Sequence, residues 1–255
     1  MIKYLRVKKM DKKVVLVTGS GTGLGASIIE KYAKNNWDIV LTYLTSEKEA
    51  LALKNKLENE YKITVLACEC DISIDADVDY LYKKVMNTFG HLDVLVNNAA
   101  ISLDSPIEDK IHENFMRILE VNVHGTFYMS KVFGKSMFDN KKGRIINIAS
   151  TNGIDTYYEY SIDYDASKAA IINMTHNLAN HFAPHVLVNA VCPGWIDTPM
   201  NKDMTNEFKE EEIKKILIDR FAEPDEIANL VYFLASNEAS YINDSVIRID
   251  GGKKC

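Results

Sequence analysis

The sequence predicts an α/β fold: a doubly wound, seven-stranded parallel sheet with helices on both faces, built as a single domain of the Rossmann type. Three observations predict it. Short apolar runs alternate with longer amphipathic stretches from Lys13 to the end of the chain. Most of the runs are continuously apolar, as burial on both faces of a parallel sheet requires. A glycine-rich turn follows the first run directly, where a doubly wound sheet places its phosphate-binding loop.

The expected strands are residues 14–17, 39–43, 64–68, 94–96, 145–148, 186–191 and 246–249. Between the third and fourth, Val78, Leu81, Tyr82, Val85, Met86 and Phe89 recur at helical spacing and form one apolar stripe able to cover a sheet face. Another helical segment, 116–129, contains Asn122, a poor helix former whose position asks for a reason. Residues 201–215 are polar and highly charged and read as a surface insertion, so a lid is expected near 195–215. No repeat, low-complexity tract or linker divides residues 13–255, and 255 residues fit one such domain. Residues 1–12, which hold Lys3, Arg6, Lys8, Lys9 and Lys12, read as a flexible basic arm.

With 47% hydrophobic and 26% charged residues, the composition is that of an ordinary globular protein. A formal net charge of -6 gives no general attraction to nucleic acid or anionic membrane, and no apolar stretch reaches spanning length. Cys68, Cys70, Cys192 and Cys255 are too few for a disulfide scaffold or a metal site, so no metal is expected and reduced thiols in a cytoplasm fit. Cys68 and Cys70 alternate along a strand and should share one face of the sheet.

The turn Thr18-Gly19-Ser20-Gly21-Thr22-Gly23-Leu24-Gly25 lets backbone approach a pyrophosphate and opens a helix whose free N–H groups suit its charge. Nicotinamide dinucleotide sites for NAD usually carry an acidic residue at the end of the second strand. Here that end reads Tyr43-Leu44-Thr45-Ser46, with Glu47 and Lys48 beyond, and Thr45, Ser46 and Lys48 suit a 2'-phosphate although no arginine stands by. The expected cofactor is therefore NADP, with NAD as the alternative. Asp71 and the run Asn97-Asn98-Ala99-Ala100 fall at strand ends where ligands bind in open sheets, and as caps and turns they would also shape the loops.

Tyr164 and Lys168 stand one helical turn apart, so a phenol and an ammonium can face one pocket. Reduction of a carbonyl needs an acid to protonate the forming alkoxide, and Lys168 and an oxidised nicotinamide ring are each expected to favour the phenolate and lower the phenol's pKa. Ser150 follows the fifth strand, where a hydroxyl can polarise a carbonyl, with Thr151 next to it.

With these residues in order, the chain from about Lys12 to Gly252 resembles the short-chain dehydrogenase/reductase family, and within it 3-oxoacyl-acyl-carrier-protein reductases. The matches are the 18–25 turn, Asp71, the 97–100 run, Asn122, Ser150, Tyr164 with Lys168, Pro193-Gly194 and Asp250-Gly251-Gly252. The resemblance implies an NAD(P)-dependent oxidoreductase that reduces a ketone, possibly a 3-oxoacyl thioester, to a secondary alcohol. Tyr164 is then the acid/base, Ser150 orients the carbonyl, Lys168 binds ribose and tunes Tyr164, and Asn122 supports a water-linked proton path. The implied cofactor contacts are Gly19, Gly21, Thr22, Gly23, Leu24, Gly25, Tyr43, Thr45, Ser46, Asp71, Ile72, Asn98, Ala99, Ala100, Tyr164, Lys168, Pro193, Gly194, Ile196 and Thr198. A homotetramer acting on a small carbonyl or alcohol substrate is implied as well. An alcohol or sugar dehydrogenase using NAD, or a dinucleotide-sensing protein without catalysis, are the alternatives.

The sequence departs from the family pattern at Thr22, Ala100, Ala222 and Ile242-Asn243-Asp244, the last of which suits left-handed backbone. Docking of an acyl carrier protein would want basic residues at the active-site mouth. Lys141, Lys142 and Arg144 are the candidates, and the lack of any Lys or Arg in 180–185 counts against an acyl-carrier substrate.

Overall fold

The computed structural model describes residues 12–201 and 204–254. The expected basic arm, apart from Lys12, therefore lies outside the described residues, as does Cys255. Seven parallel strands form one sheet: β1 (Val14–Val17), β2 (Asp38–Tyr43), β3 (Val65–Glu69), β4 (Val94–Asn97), β5 (Gly143–Ile148), β6 (Val186–Pro193) and β7 (Val246–Ile249). Their order across the sheet is β3-β2-β1-β4-β5-β6-β7. Strand order reverses between β1 and β4, and the crevice beyond their carboxyl ends is where such sheets bind ligands.

Among the described residues there are eight α-helices, α1 (Gly23–Lys34), α2 (Glu47–Tyr61), α3 (Asp75–Phe89), α4 (His112–Leu119), α5 (Thr126–Asp139), α6 (Ile162–Phe182), α7 (Asn206–Lys214) and α8 (Pro224–Leu234), and all but α7 bury side chains. Alternate residues of each strand serve opposite layers. Val15 and Val17 of β1 pack with Ile28, Ile29, Leu57 and Val231 of α1, α2 and α8. Val14 and Leu16 pack with Leu81, Val85, Phe133 and Phe182 of α3, α5 and α6. This two-sided burial explains why the strands read as unbroken apolar runs. Val78, Leu81 and Val85 of the expected stripe are buried, and Cys68 and Cys70 lie together in the second layer.

Helix termini follow local chemistry. Pro224 opens α8 inside a reciprocal cap between Glu223 and Glu226. Asp244 takes a left-handed φ of 59°, so the departure at 242–244 is met by a residue that tolerates it.

The segment 116–129 is not one regular helix. α4 and α5 are joined by a π-helical turn, Glu120–Gly125, with Asn122 buried inside it. Asn122 Oδ1 accepts from Ile101 N at 2.9 Å, and Nδ2 donates to Ile101 O at 2.9 Å and to Ser167 Oγ at 3.0 Å. These bonds offset the cost of a wider turn and tie it to α6, which is the reason for an asparagine here.

Candidate active site

The cofactor crevice is assembled around the loop after β1. Thr18 Oγ1 accepts from the N–H groups of Asn98 and Ala99, both at 2.9 Å, while Asn98 Nδ2 donates to Thr18 O at 2.9 Å and Gly19 O at 3.1 Å. Gly19 N in turn donates to Thr42 Oγ1 at 3.1 Å. The loops after β1, β2 and β4 are thus laced together, and the asparagine run acts here as a brace. A Cβ at Gly25 would stand 2.6 Å from Gly19 O, 2.7 Å from Asn98 Nδ2 and 2.7 Å from Ser20 Cα, so α1 meets the loop closely enough to admit only glycine. Gly23 has φ +57° and opens α1, whose N-cap Thr22 makes no side-chain cap bond, so the first N–H groups are left to a ligand. This cradle fits a dinucleotide pyrophosphate. Gly25→Ala should push α1 off the turn, lowering the melting temperature by several degrees, since overpacking costs about 1–3 kcal/mol. NADPH binding measured by fluorescence titration should weaken at least tenfold, about 1.4 kcal/mol.

At the adenine side of the crevice the structure adds a partner that spacing did not suggest. Asp71 Oδ2 accepts from Arg117 Nη2 at 2.8 Å, and Asp71 Oδ1 accepts from Ser73 N at 2.9 Å and Ser73 Oγ at 2.6 Å. Burial works to raise its pKa, but the bonds from Ser73 and Arg117 prevail and hold it below the ordinary value. Ile72 beside it is buried. At the end of β2, Tyr43 is buried, Thr45 is exposed and the Ser46 side chain faces Gly21: a Cβ on that glycine would stand 2.4 Å from Ser46 Oγ. Glu47 and Glu49 occupy the first turn of α2.

The catalytic candidates converge at the carboxyl edge of β5. Ser150 follows the strand, and its hydroxyl stands beside the Tyr164 phenol and acts to lower the phenol's pKa. Tyr164 stands in the first turn of α6, with Lys168 Nζ 5.2 Å from its ring centroid. Lys168 is 2% exposed and donates from Nζ to Ile148 O at 2.8 Å. α6 is fixed by Ser167 Oγ, which accepts from Asn122 Nδ2 at 3.0 Å, and by a buried amide ladder in which Asn97 Nδ2 donates to Asn147 Oδ1 and Asn147 Nδ2 to Thr175 Oγ1.

The protein's own groups do not lower the Tyr164 pKa by themselves. Burial pushes the phenol well above its ordinary range, Asp165 and Asp104 add to the rise, and only the Ser150 bond opposes it. The lysine lies over the ring and spends a donor on Ile148 O, so it does not meet the phenol oxygen as an ion-pair partner would. Lys168 pays for its own burial, with its pKa brought down to about 8, partly offset by the Cys192 thiol.

Pro193 ends β6, and Gly194 packs on Asp250, where a Cβ would come within 2.8 Å of Asp250 Cβ. Ile196 bridges Ala222, so the alanine serves as a backbone partner there. Thr198 borders the glycine turn, 3.8 Å from where a Gly23 Cβ would be. α7 forms within the charged insertion. Phe208 on α7 packs on Tyr158 and Trp195, with ring centroids 5.6 and 6.0 Å apart, and Glu212 accepts from Trp195 Nε1 at 3.0 Å.

One expected location is corrected. Lys142 and Arg144 lie at the start of β5, where Lys142 pairs with Asp93, and the site lies at the strand's other end, roughly 20 Å away along the chain. In a parallel sheet the two ends are separate surfaces, so these cations do not flank the mouth. Among the described residues no helix is long and apolar enough to cross a membrane, and no cluster of three or more His, Cys, Asp or Glu is arranged to hold a metal ion.

Comparison with known proteins bears on this geometry. Residues 19–254 match the family described as enoyl-(acyl carrier protein) reductase. The 3-oxoacyl-[acyl-carrier-protein] reductase of Aquifex aeolicus is 36% identical over 245 residues, 96% of this chain and 98% of that one. That of Haemophilus influenzae is 34% identical over 95% of this chain and 98% of its own. Among solved structures, levodione reductase superposes with a TM-score of 0.89 at 31% identity, covering 94% of this chain and 96% of that one. A Serratia marcescens short-chain dehydrogenase/reductase variant gives 0.88 at 32% identity, with 94% and 97% covered.

Proposed function

This chain belongs to the short-chain dehydrogenase/reductase family of NAD(P)-dependent oxidoreductases acting on ketones and alcohols, and from that premise we propose that it reduces a 3-oxoacyl thioester or a similar ketone, with NADPH preferred. The observation that carries the reading is the Ser150 and Tyr164 hydroxyl pair beside buried Lys168, next to a glycine cradle at an uncapped helix N-terminus that suits an anionic ligand. When bound, the dinucleotide supplies the hydride. Ser150 turns its hydroxyl to the substrate carbonyl oxygen and orients it. Tyr164, kept protonated by burial, gives its proton to that oxygen as negative charge develops, which favours the reductive direction. Lys168 donates to the ribose hydroxyls in place of Ile148 O. Both N–H groups of the Asn122 amide are committed to Ile101 and Ser167, so Asn122 serves the proton path by fixing the turn around it.

The matched family's description names an enoyl substrate, whereas the curated relatives are oxo reductases. A hydroxyl pair poised for one oxygen favours the oxo group. NADPH is supported by the absence of an acidic residue at the end of β2 and by exposed Thr45 and Lys48. Glu47 in the first turn of α2 favours the second reading, an NAD-linked alcohol or sugar dehydrogenase. Titration with NADPH and NADH, followed by turnover of an acetoacetyl thioester and a ketone panel, separates the two. We expect NADPH to bind about tenfold or more tighter, a difference of about 1.4 kcal/mol; NADH preference with alcohol oxidation selects the second reading.

We also place the protein in the cytoplasm as a homotetramer. Its three described cysteines are free, and Met116 and Phe127 on α4 and α5, with Phe233 on α8, leave large apolar side chains exposed for subunit contact. Light scattering that returns a monomer mass would reject the tetramer.

A further inference from the structure

A buried ion pair lies beside the proton donor and is used by neither the cofactor cradle nor the hydroxyl pair. Asp163 is 0% exposed and the Lys110 side chain 8%. Lys110 Nζ donates to Asp163 Oδ1 at 2.7 Å, to Asp163 Oδ2 at 2.8 Å and to Leu103 O at 2.8 Å, which uses all its N–H groups. Asp163 Oδ1 also accepts from Tyr164 N at 3.0 Å, so the carboxylate grips the backbone of the residue whose phenol is the acid.

Lys110 closes the segment 101–111, which runs from the end of β4 past the substrate side of the site to α4. The segment is fastened at Ile101 by Asn122, at Ser105 N by Tyr160 O at 3.0 Å, and at Lys110 by Asp163. Two of these fastenings end on residues of the catalytic edge or their neighbours. As a source of stability the pair is poorly chosen, because apolar side chains of similar volume often serve a buried site as well or better. What an ion pair with fixed bond directions offers instead is position.

We propose that Lys110 and Asp163 are positioning residues for the proton donor, holding segment 101–111 against the first turn of α6 and so setting where the Tyr164 hydroxyl stands relative to a bound ketone. This rests on the reading of Tyr164 as the acid given above. Burial is the main reason that the phenol stays protonated; Asp165 on the helix and Asp104 of this segment add to it, Ser150 opposes it, and the Lys168 ammonium faces the ring. A loosened segment withdraws Asp104 and lets the phenol ionise at lower pH.

The test compares the wild-type chain, Lys110→Met/Asp163→Leu, Lys110→Arg and Tyr164→Phe, with NADPH and the ketone of the panel that the wild type reduces. The double variant should melt within a few degrees of wild type and bind NADPH within about twofold, while kcat falls about 10- to 100-fold, as small misplacements do. The alkaline limb of its kcat profile should move to lower pH. Lys110→Arg, which keeps the charge and the bidentate contact, should recover most of kcat. If the double variant does not accumulate, Lys110→Gln/Asp163→Asn, which removes both charges together, is read by the same criteria. A double variant with kcat and pH profile equal to wild type, beside an inactive Tyr164→Phe, overturns the positioning role alone. An active Tyr164→Phe overturns the proton-donor reading and this one with it.

Discussion

Tyr164→Phe should lower kcat for ketone reduction by about a thousandfold while NADPH affinity stays within about twofold, because positioned general acids contribute about 10² to 10⁴ in rate. The structure brings the phenol to the Ser150 hydroxyl at the edge of β5. The substitution keeps the ring over which Lys168 lies and removes only the oxygen. Stability should change by about 1 kcal/mol or less, the worth of one hydrogen bond to Ser150. The split is therefore diagnostic: steady-state rates collapse, while the fluorescence titration with NADPH is unmoved. A matched loss of binding and rate would mean that the ring, rather than the proton, is what Tyr164 supplies.

Lys168→Met should act in opposite directions on function and stability. The ammonium is 2% exposed, and burial brings its pKa from 10.5 to about 8. That depression corresponds to roughly 3 kcal/mol against the folded state while the lysine is charged. The sign follows from proton binding. Between pH 8 and 10.5 the unfolded chain holds the proton more tightly than the folded one, so this group's penalty is fully present below about 8 and fades as pH rises towards 10.5. The methionine variant without cofactor should therefore be more stable than wild type at pH 7 by about 1–3 kcal/mol, after subtracting the lost bond to Ile148 O. Its advantage should shrink at alkaline pH, as urea unfolding at several pH values would show. With cofactor this advantage should shrink towards zero, because a charged donor to the ribose is worth about 1.5–3 kcal/mol, or about 10- to 100-fold in Kd. Such a site stores instability in order to bind, and a variant that loses stability at pH 7 would contradict this account.

Much of this was readable before any coordinates. The strands are legible because two-sided burial leaves unbroken apolar runs, and their ends differ from the observed ones by only a residue or two, as at Asn97 and Glu69. The glycine turn is legible because a Cβ at Gly25 has no room, and the Tyr164 and Lys168 pairing because one helical turn fixes it. What escaped depends on residues distant in sequence. Arg117 meets Asp71 across 46 positions and Lys110 meets Asp163 across 53, and no periodicity encodes either. The π turn at Asn122 was invisible because apolar spacing over 116–129 continues through it. The effect of burial on the Tyr164 phenol is not legible either, because charge is visible in a sequence, whereas burial belongs to the fold. The cations 142 and 144 were misplaced for a related reason: only the strand's bounds show which edge of the sheet they occupy.

The measurement that tests the central claim most directly is product analysis after incubation with an acetoacetyl thioester and NADPH deuterated at the transferable position, with wild type and Tyr164→Phe side by side. The account predicts a 3-hydroxyacyl product from wild type, carrying one deuterium at the former carbonyl carbon, and essentially none from the variant. An unlabelled alcohol, label at any other carbon, or equal product from Tyr164→Phe would contradict it.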